Sequence, residues 1–343
     1  SKFMDNRLWL VGGVRYERTE DDGRGPLNDI GATYQRDAAG NFVRNPPPNG
    51  PLVRITTNAL ANARLQYKER GVAKKTNYDG LYPSLNASYS FSDRVVLRAG
   101  YARTIGRPEL DDIIPSIAVT DPNADVSTRR ITVVDGNLAP WTADNFDLTF
   151  EVYDLKGATA SVSVFQKNIE NFFVDSETQV TAAELVDLGL SDDYGDYLIR
   201  RTKNGGKAEM SGIELSYRQV LGFIPTIGRR MQVFANLTSL ALDGDNPEDF
   251  AEFSPRNING GISYAHAKFV VKLGMHHNKW VRRSVAAAGA NNLPNSFNFR
   301  APSTRWDFST EYRLNRRLSF FYSVRNLTAE PVRLEIRSPG QPA

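Results

Sequence analysis

Leu81-Tyr82-Pro83-Ser84-Leu85-Asn86-Ala87-Ser88-Tyr89-Ser90-Phe91 carries the pattern that decides the fold. Side chains of an extended chain point to alternate sides. Leu81, Pro83, Leu85, Ala87, Tyr89 and Phe91 therefore share one face, and Tyr82, Ser84, Asn86, Ser88 and Ser90 the other. After Ser92-Asp93-Arg94 the alternation resumes, with Val95, Leu97, Ala99 and Tyr101 opposite Val96, Arg98, Gly100 and Ala102. This is a hairpin of two long strands, each with an apolar and a polar side. The unit recurs to the end of the chain: Phe146, Leu148 and Phe150 alternate with Asp147, Thr149 and Glu151, and Ile213, Leu215 and Tyr217 with Glu214, Ser216 and Arg218. Trp306, Phe308 and Tyr312 oppose Asp307, Ser309 and Glu311, and the first run, near Leu8 to Thr19, sets Val14 and Tyr16 against Arg15 and Glu17.

About eleven strands are expected, most of roughly ten to thirteen residues. Soluble strands are usually about five or six residues long, whereas a tilted strand crossing a bilayer needs about nine to eleven. The connections alternate too. Those near 92–94, 154–157, 266–267 and 315–316 are tight and 219–230 is longer, while 20–75, 104–143, 173–206, 243–254 and 282–302 are long and rich in Gly, Pro, Asn and Asp. Short turns at one end and long loops at the other mark an antiparallel up-and-down transmembrane β-barrel. The expected fold class is all-β, an incomplete barrel in one domain spanning 1–343; a soluble β-sandwich is the competing architecture. The sheet should be a single meander, each strand pairing with its sequence neighbours. The segments 20–75 and 104–143 should lie at the same end and be the least regular.

Composition removes other classes. Lys+Arg 42 against Asp+Glu 39 leaves a formal charge of +3, with no basic field to attract nucleic acid. A hydrophobic content of 41% with 10% aromatics excludes disorder, and no apolar run is long enough for a transmembrane helix. Without cysteine there are no disulfides, thiolate nucleophiles or cysteine metal sites. Gly-x-Ser-x-Gly, Walker and His-Glu-x-x-His motifs are missing, so no catalytic residue is assigned and the chain is read as a non-enzyme without cofactor. Neighbouring His276 and His277 point to opposite faces of a strand and cannot share a metal, and the acidic run Asp243 to Asp249 lacks the terminal Glu of an EF-hand loop. No metal site is assigned.

The polar face holds Arg15, Glu17, Asn86, Arg98, Asp147, Glu151, Glu214, Glu311 and Arg325, a composition suited to a hydrated lumen. Aromatics on the apolar face near strand ends, such as Tyr16, Tyr89 and Trp306, suit interfacial girdles.

Several stretches, in order, resemble the C-terminal barrel of TonB-dependent outer-membrane receptors. They include Gly12-Gly13-Val14-Arg15-Tyr16-Glu17, Leu81-Tyr82-Pro83-Ser84-Leu85-Asn86, Leu97-Arg98-Ala99-Gly100-Tyr101-Ala102-Arg103-Thr104, Gly136-Asn137-Leu138-Ala139-Pro140, Gly212-Ile213-Glu214-Leu215-Ser216-Tyr217 and Asn326-Leu327-Thr328. The resemblance implies a barrel of about 22 strands, a plug domain in its lumen and energy coupling through TonB. The chain is expected to be the C-terminal portion of such a barrel, with plug and last strand absent. The implied setting is the outer membrane of a Gram-negative bacterium. The implied partners are outer-membrane lipid, the TonB complex via the plug, and a small nutrient ligand of the siderophore, saccharide or cobalamin class. A passive porin is the alternative function. Binding residues belong on long loops held by a rigid scaffold. The candidates are Arg103, Arg107, Trp141, Arg200, Arg201 and Asn204, where a Trp beside Arg and Asn suits a sugar or an anionic chelate. Arg107-Pro108 and Asn204-Gly205-Gly206 can equally be a strand terminus and a turn.

Overall fold

The computed structural model describes residues 2–245, 252–286 and 296–337. Eleven of its strands form one antiparallel meander: β1 (Leu8–Asp29), β2 (Tyr67–Ser92), β3 (Val95–Gly106), β4 (Trp141–Leu155), β5 (Ala158–Glu170), β6 (Lys207–Val220), β7 (Met231–Gly244), β8 (Arg256–His266), β9 (Phe269–Asn278), β10 (Ser303–Arg313) and β11 (Ser319–Val324). Each pairs with its neighbours in sequence, and β1 and β11 do not pair with each other. No second sheet packs on it among the described residues. A separate three-stranded ribbon pairs Val281–Val285 and Phe297–Arg300, both from the connection between β9 and β10, with Leu334–Arg337, which follows β11. The architecture is the wall of an up-and-down barrel rather than a sandwich.

Pairing register settles which residues share a face. Gly12, Leu85, Tyr101 and Phe146 are successive partners across four strands, and Asn86, Gly100 and Asp147 are partners one row over. The apolar face continues through Val164 with Ile213, Leu215 with Leu237 and Ile258, and Met275 with Trp306. Its side chains have little to pack against: Val14 is 68% exposed and Leu85 54%. An exposed apolar surface of this extent is what the outward face of a transmembrane barrel requires.

The turns after β2, β4, β6, β8 and β10 lie at one end, and the long connections 30–66, 107–140, 171–206, 245–255 and 279–302 at the other. The segments 20–75 and 104–143 therefore do share an end, but they are only partly irregular, with isolated bridges alone over 34–58. β1 and β2 run to 22 and 26 residues, so 20–29 and 67–75 are strand. Both faces of this outer half are polar, with Asp22 bonded to Lys75 at 3.0 Å. Strict alternation detects only half-buried strands, so a hairpin wetted on both sides escapes it.

The long loops add strands of their own, and these break the simple meander. Ser116–Val119 pairs in parallel with the tip of β1, Arg130–Val134 joins it antiparallel, Leu198–Asn204 pairs in parallel with that, and Phe173–Gln179 closes the edge. Alternate residues of these strands, Ile117, Val119, Ile131, Val133 and Ile199, point into a core with Leu27, Leu185, Tyr194 and Tyr197. Close approach is required where loop 107–140 crosses β1: a Cβ on Gly25 would lie 1.8 Å from the Pro115 carbonyl oxygen. The three loops 30–66, 107–140 and 171–206 thus form one capping unit.

Two outcomes follow from this arrangement. Arginine facing lipid near the bilayer midplane costs about 2–4 kcal/mol, and much less facing water. In the full-length protein, Leu85→Arg and Leu97→Asp should sharply lower the heat-modifiable folded band on gels, while Asn86→Arg and Arg98→Gln leave most of it; equal losses on both faces would contradict the assignment. Separately, Ile131→Ala should destabilise the capping unit by about 2–5 kcal/mol. Protease should then cut the loops while heat-modifiability persists, and unchanged loop resistance would show that the core does not hold the cap.

Candidate functional site

The capping unit is tied together by buried polar contacts as well as by its core. The Tyr34 hydroxyl donates to the Asp121 carboxylate at 2.9 Å and accepts from Asn123 Nδ2 at 3.0 Å, joining loops 30–66 and 107–140. Tyr194 donates to Asp29, and Tyr197 to the Thr120 carbonyl at 3.0 Å. Burial, followed by the Asp29 contact, pushes the Tyr194 phenol far above its usual range, and burial does the same for Tyr197 against the opposing pull of Arg129. Both stay neutral donors. Arg36 ion-pairs with Asp193, and Arg129 with Asp196 at 2.5 Å. The acidic run at Asp192 to Asp196 therefore supplies counter-ions between loops.

The six candidate binding residues do not converge on one point. Arg103 shares the face of Leu97 and Tyr101; it sits 3.9 Å from Asp144, which also accepts from the Tyr101 hydroxyl at 2.8 Å. Arg107 ion-pairs with Glu17, which also holds Arg15 at 2.6 Å. The Trp141 ring covers its register partner Gly106. Arg200 meets Asp175 at 3.1 Å, and Arg201 meets Glu184 at 2.7 Å and Asp135 at 3.7 Å. Asn204 donates to the carbonyls of Ala139 (2.7 Å) and Asn171 (2.8 Å) and accepts from the Ala139 N–H. Each arginine of the set has a carboxylate of its own, while Trp141 and Asn204 spend their contacts on the framework.

Eight of the nine polar-face residues share a face by register, Arg325 lying just beyond β11, and most of their charges are paired there. Arg98 bonds Glu151 at 2.7 Å, and Glu311 lies 3.5 Å from Arg313. His276 and His277 point to opposite sides, the first to Asn259 and the second to Thr304 Oγ1 at 2.8 Å. In the acidic run after β7, Asp245 accepts from the Lys207 N–H at 2.8 Å, and residues 246–249 lie outside the described residues. No cluster of three or more His, Asp or Glu suited to a metal occurs among the described residues.

Two cationic cavities on the polar face went unnoticed in the sequence. One, of about 160 Å³, is lined by His276, Arg300 and Arg305; the other, of about 460 Å³, by Arg218, Lys272 and Arg325. The residues of each are far apart in the sequence: Arg218 and Lys272 lie on β6 and β9 and Arg325 just beyond β11, while His276 and Arg305 lie on β9 and β10 and Arg300 on the three-stranded ribbon. Their signal in the sequence was a basic residue at a polar-face position in strand after strand. With paired charges along the wall and a tied cap at one end, the polar face offers charged and hydrogen-bonding groups that can hold a polar solute.

One pH effect follows from the cap. The Thr181 N–H (2.9 Å) and then, after the opposing effect of burial, the Thr181 hydroxyl and Arg201 hold the Glu184 carboxyl below its usual range. The folded cap prefers the ionised form, so this contribution is complete above the ordinary glutamate range and is lost as pH falls through the lowered folded value. Loop protection against an acid-active protease should weaken from pH 5 to pH 3, by less in Glu184→Gln. An identical pH response in both proteins would contradict it.

A family model described as TonB dependent receptor-like, beta-barrel, matches residues 2–327. A search of the curated proteins finds no significant match. Among solved structures, the copper transporter OprC matches at TM-score 0.60 and 14% identity, over 94% of this chain and 40% of that one. A ferric enterobactin receptor of Pseudomonas aeruginosa, in complex with enterobactin, matches at 0.55 and 19%, over 74% and 37%. The ferric-catecholate import receptor Fiu of E. coli K12 matches at 0.55 and 18%, over 94% and 38%. At these identities the likeness is one of fold, and the chain spans less than half the length of each structure.

Proposed function

Because the chain belongs to the TonB dependent receptor-like β-barrel family, we propose that it forms part of the wall and surface cap of an outer-membrane receptor that imports a scarce nutrient with TonB-coupled energy. The observation that carries this reading is the division of one continuous meander into an exposed apolar face and a face of paired charges, under loops tied into one unit. The apolar face meets the lipid of a Gram-negative outer membrane, the polar face lines the solute's route, and the cap meets the solute first. The matched structures are more than twice as long, which supports reading the eleven strands as one portion of a larger barrel, with a plug in its lumen as the contact to TonB. The printed functions of those structures, copper transport and ferric-chelate import, support a small nutrient or metal chelate as solute. Siderophore, saccharide and cobalamin are the classes to test.

The decisive measurement is uptake of labelled candidates by cells carrying or lacking the gene, with TonB intact or deleted. Gene-dependent uptake that disappears without TonB is expected. Gene-dependent uptake that persists without TonB would make the protein a passive pore.

A further inference from the structure

The charges along β1–β5 and at the foot of β10 are mostly matched within the chain: Glu17 holds Arg15 and Arg107, Glu151 holds Arg98, and Glu311 faces Arg313. The wall of β6–β11 departs from this. Arg218 on β6, Lys272 on β9 and Arg325 just beyond β11 line one concavity of about 460 Å³. All three lie on the polar face, and none forms an ion pair among the described residues. The cavity has one carboxylate, Asp307, whose Oδ1 already accepts the Asn326 N–H at 2.8 Å.

The shape of the wall adds to the charge. Gly261 and Gly274 are direct partners across β8 and β9, so the sheet carries no side chain at either of these adjoining positions. At Gly261 the Phe234 ring already fills the space where a Cβ would sit, at 2.7 Å, whereas a Cβ on Gly274 would meet nothing nearer than 4.0 Å, so the opening is at Gly274. The result is a dent in which a solute group can reach the sheet itself, beneath three cationic side chains and beside serine hydroxyls from β8, β10 and β11. Three cationic side chains outweigh the one carboxylate, and an excess of one sign on a concave, low-dielectric wall concentrates counter-ions. Guanidinium and ammonium groups bond carboxylate and phosphate oxygens through charge-assisted hydrogen bonds.

We propose that this concavity is a binding station for an oxyanionic group, carboxylate or phosphate, of a solute moving along the polar face. The proposal rests on the reading of this face as a transport route and adds the chemical class of the solute. A second cavity, lined by Arg300, Arg305 and Glu330, lies nearer the capped end of β8–β10, with Arg300 also 3.9 Å from Glu252. Arg300 Nε there is buried and has no hydrogen-bond partner among the described residues.

The test is titration calorimetry at low ionic strength on the full-length receptor in detergent micelles, with citrate, inorganic phosphate and glucose as probes. At least one anion should bind, more weakly as salt rises, and glucose should not; whichever anion binds more tightly identifies the group. Arg218→Gln, Lys272→Gln and Arg325→Gln should each weaken binding about tenfold, and the triple variant should abolish it. Gly274→Leu keeps every charge and fills the dent, and should weaken binding as much as a single charge change, so the idea stays testable if the triple variant does not fold. Binding of neither anion by the unaltered receptor, undiminished binding by the single charge variants, or full binding by Gly274→Leu would each overturn it. Loss of TonB-dependent uptake as a finding, with anion binding retained, would remove the transport reading and leave the station standing.

Discussion

The backbone ladder between neighbouring strands is the constraint on which the rest of this molecule depends. In hydrocarbon an unpaired N–H or C=O costs several kcal/mol, because no water is present to replace the lost partner. From β1 to β11 the described strands meet that demand by pairing each with the next, without crossovers. The tight turns then have to lie at one end and the long loops at the other. The period of two follows from the same geometry: one face must tolerate lipid, and the other is left free to carry charge. Charge on that inner side is kept in check by pairing within a strand, as between Arg15 and Glu17, and across neighbouring strands, as between Arg98 and Glu151.

Burial is inverted relative to an ordinary globular protein. The most deeply buried large side chains, Tyr194, Tyr197, Ile131, Leu185, Ile199 and Val281, all lie outside the eleven meander strands. The strands themselves need no core, since lipid receives their apolar side. The loops project into water, where ordering a long segment costs about 1–2 kcal/mol per residue in backbone freedom. Burying apolar side chains, at about 1.5–3 kcal/mol each, opposes that cost. The cap is thus built on the physics of soluble proteins and mounted on a wall built on the physics of membranes.

The wall was legible in the sequence because its signals are local. Leu85 and Asn86 declare their faces within a few residues, and the spacing of turns gives parity. The outer half of the β1–β2 hairpin was not legible, because water on both sides erases the alternation. The parallel pairings of the loop strands were hidden for another reason: Leu27 with Ile117 and Ile131 with Ile199 are far apart in sequence, and nothing local announces the partner. The binding candidates were chosen by residue type, yet Arg200 and Arg201 find carboxylates that only the folded loops bring near. The cluster of Arg218, Lys272 and Arg325 was invisible for the same reason.

The tied loops also determine what an antibody against this protein would meet. Because Ile131, Leu185 and Ile199 come from two loops and Leu27 from the strand that leads into a third, the outward surface is a composite with no continuous stretch of chain behind it. A synthetic peptide copied from any one loop lacks the partners that give it shape, and antibodies raised against it would recognise a form that the intact cell does not display. Any antibody that reads the folded surface would meet residues of all three loops together, while solvent-facing positions such as Val126 and Val186 could change without disturbing the shared interior.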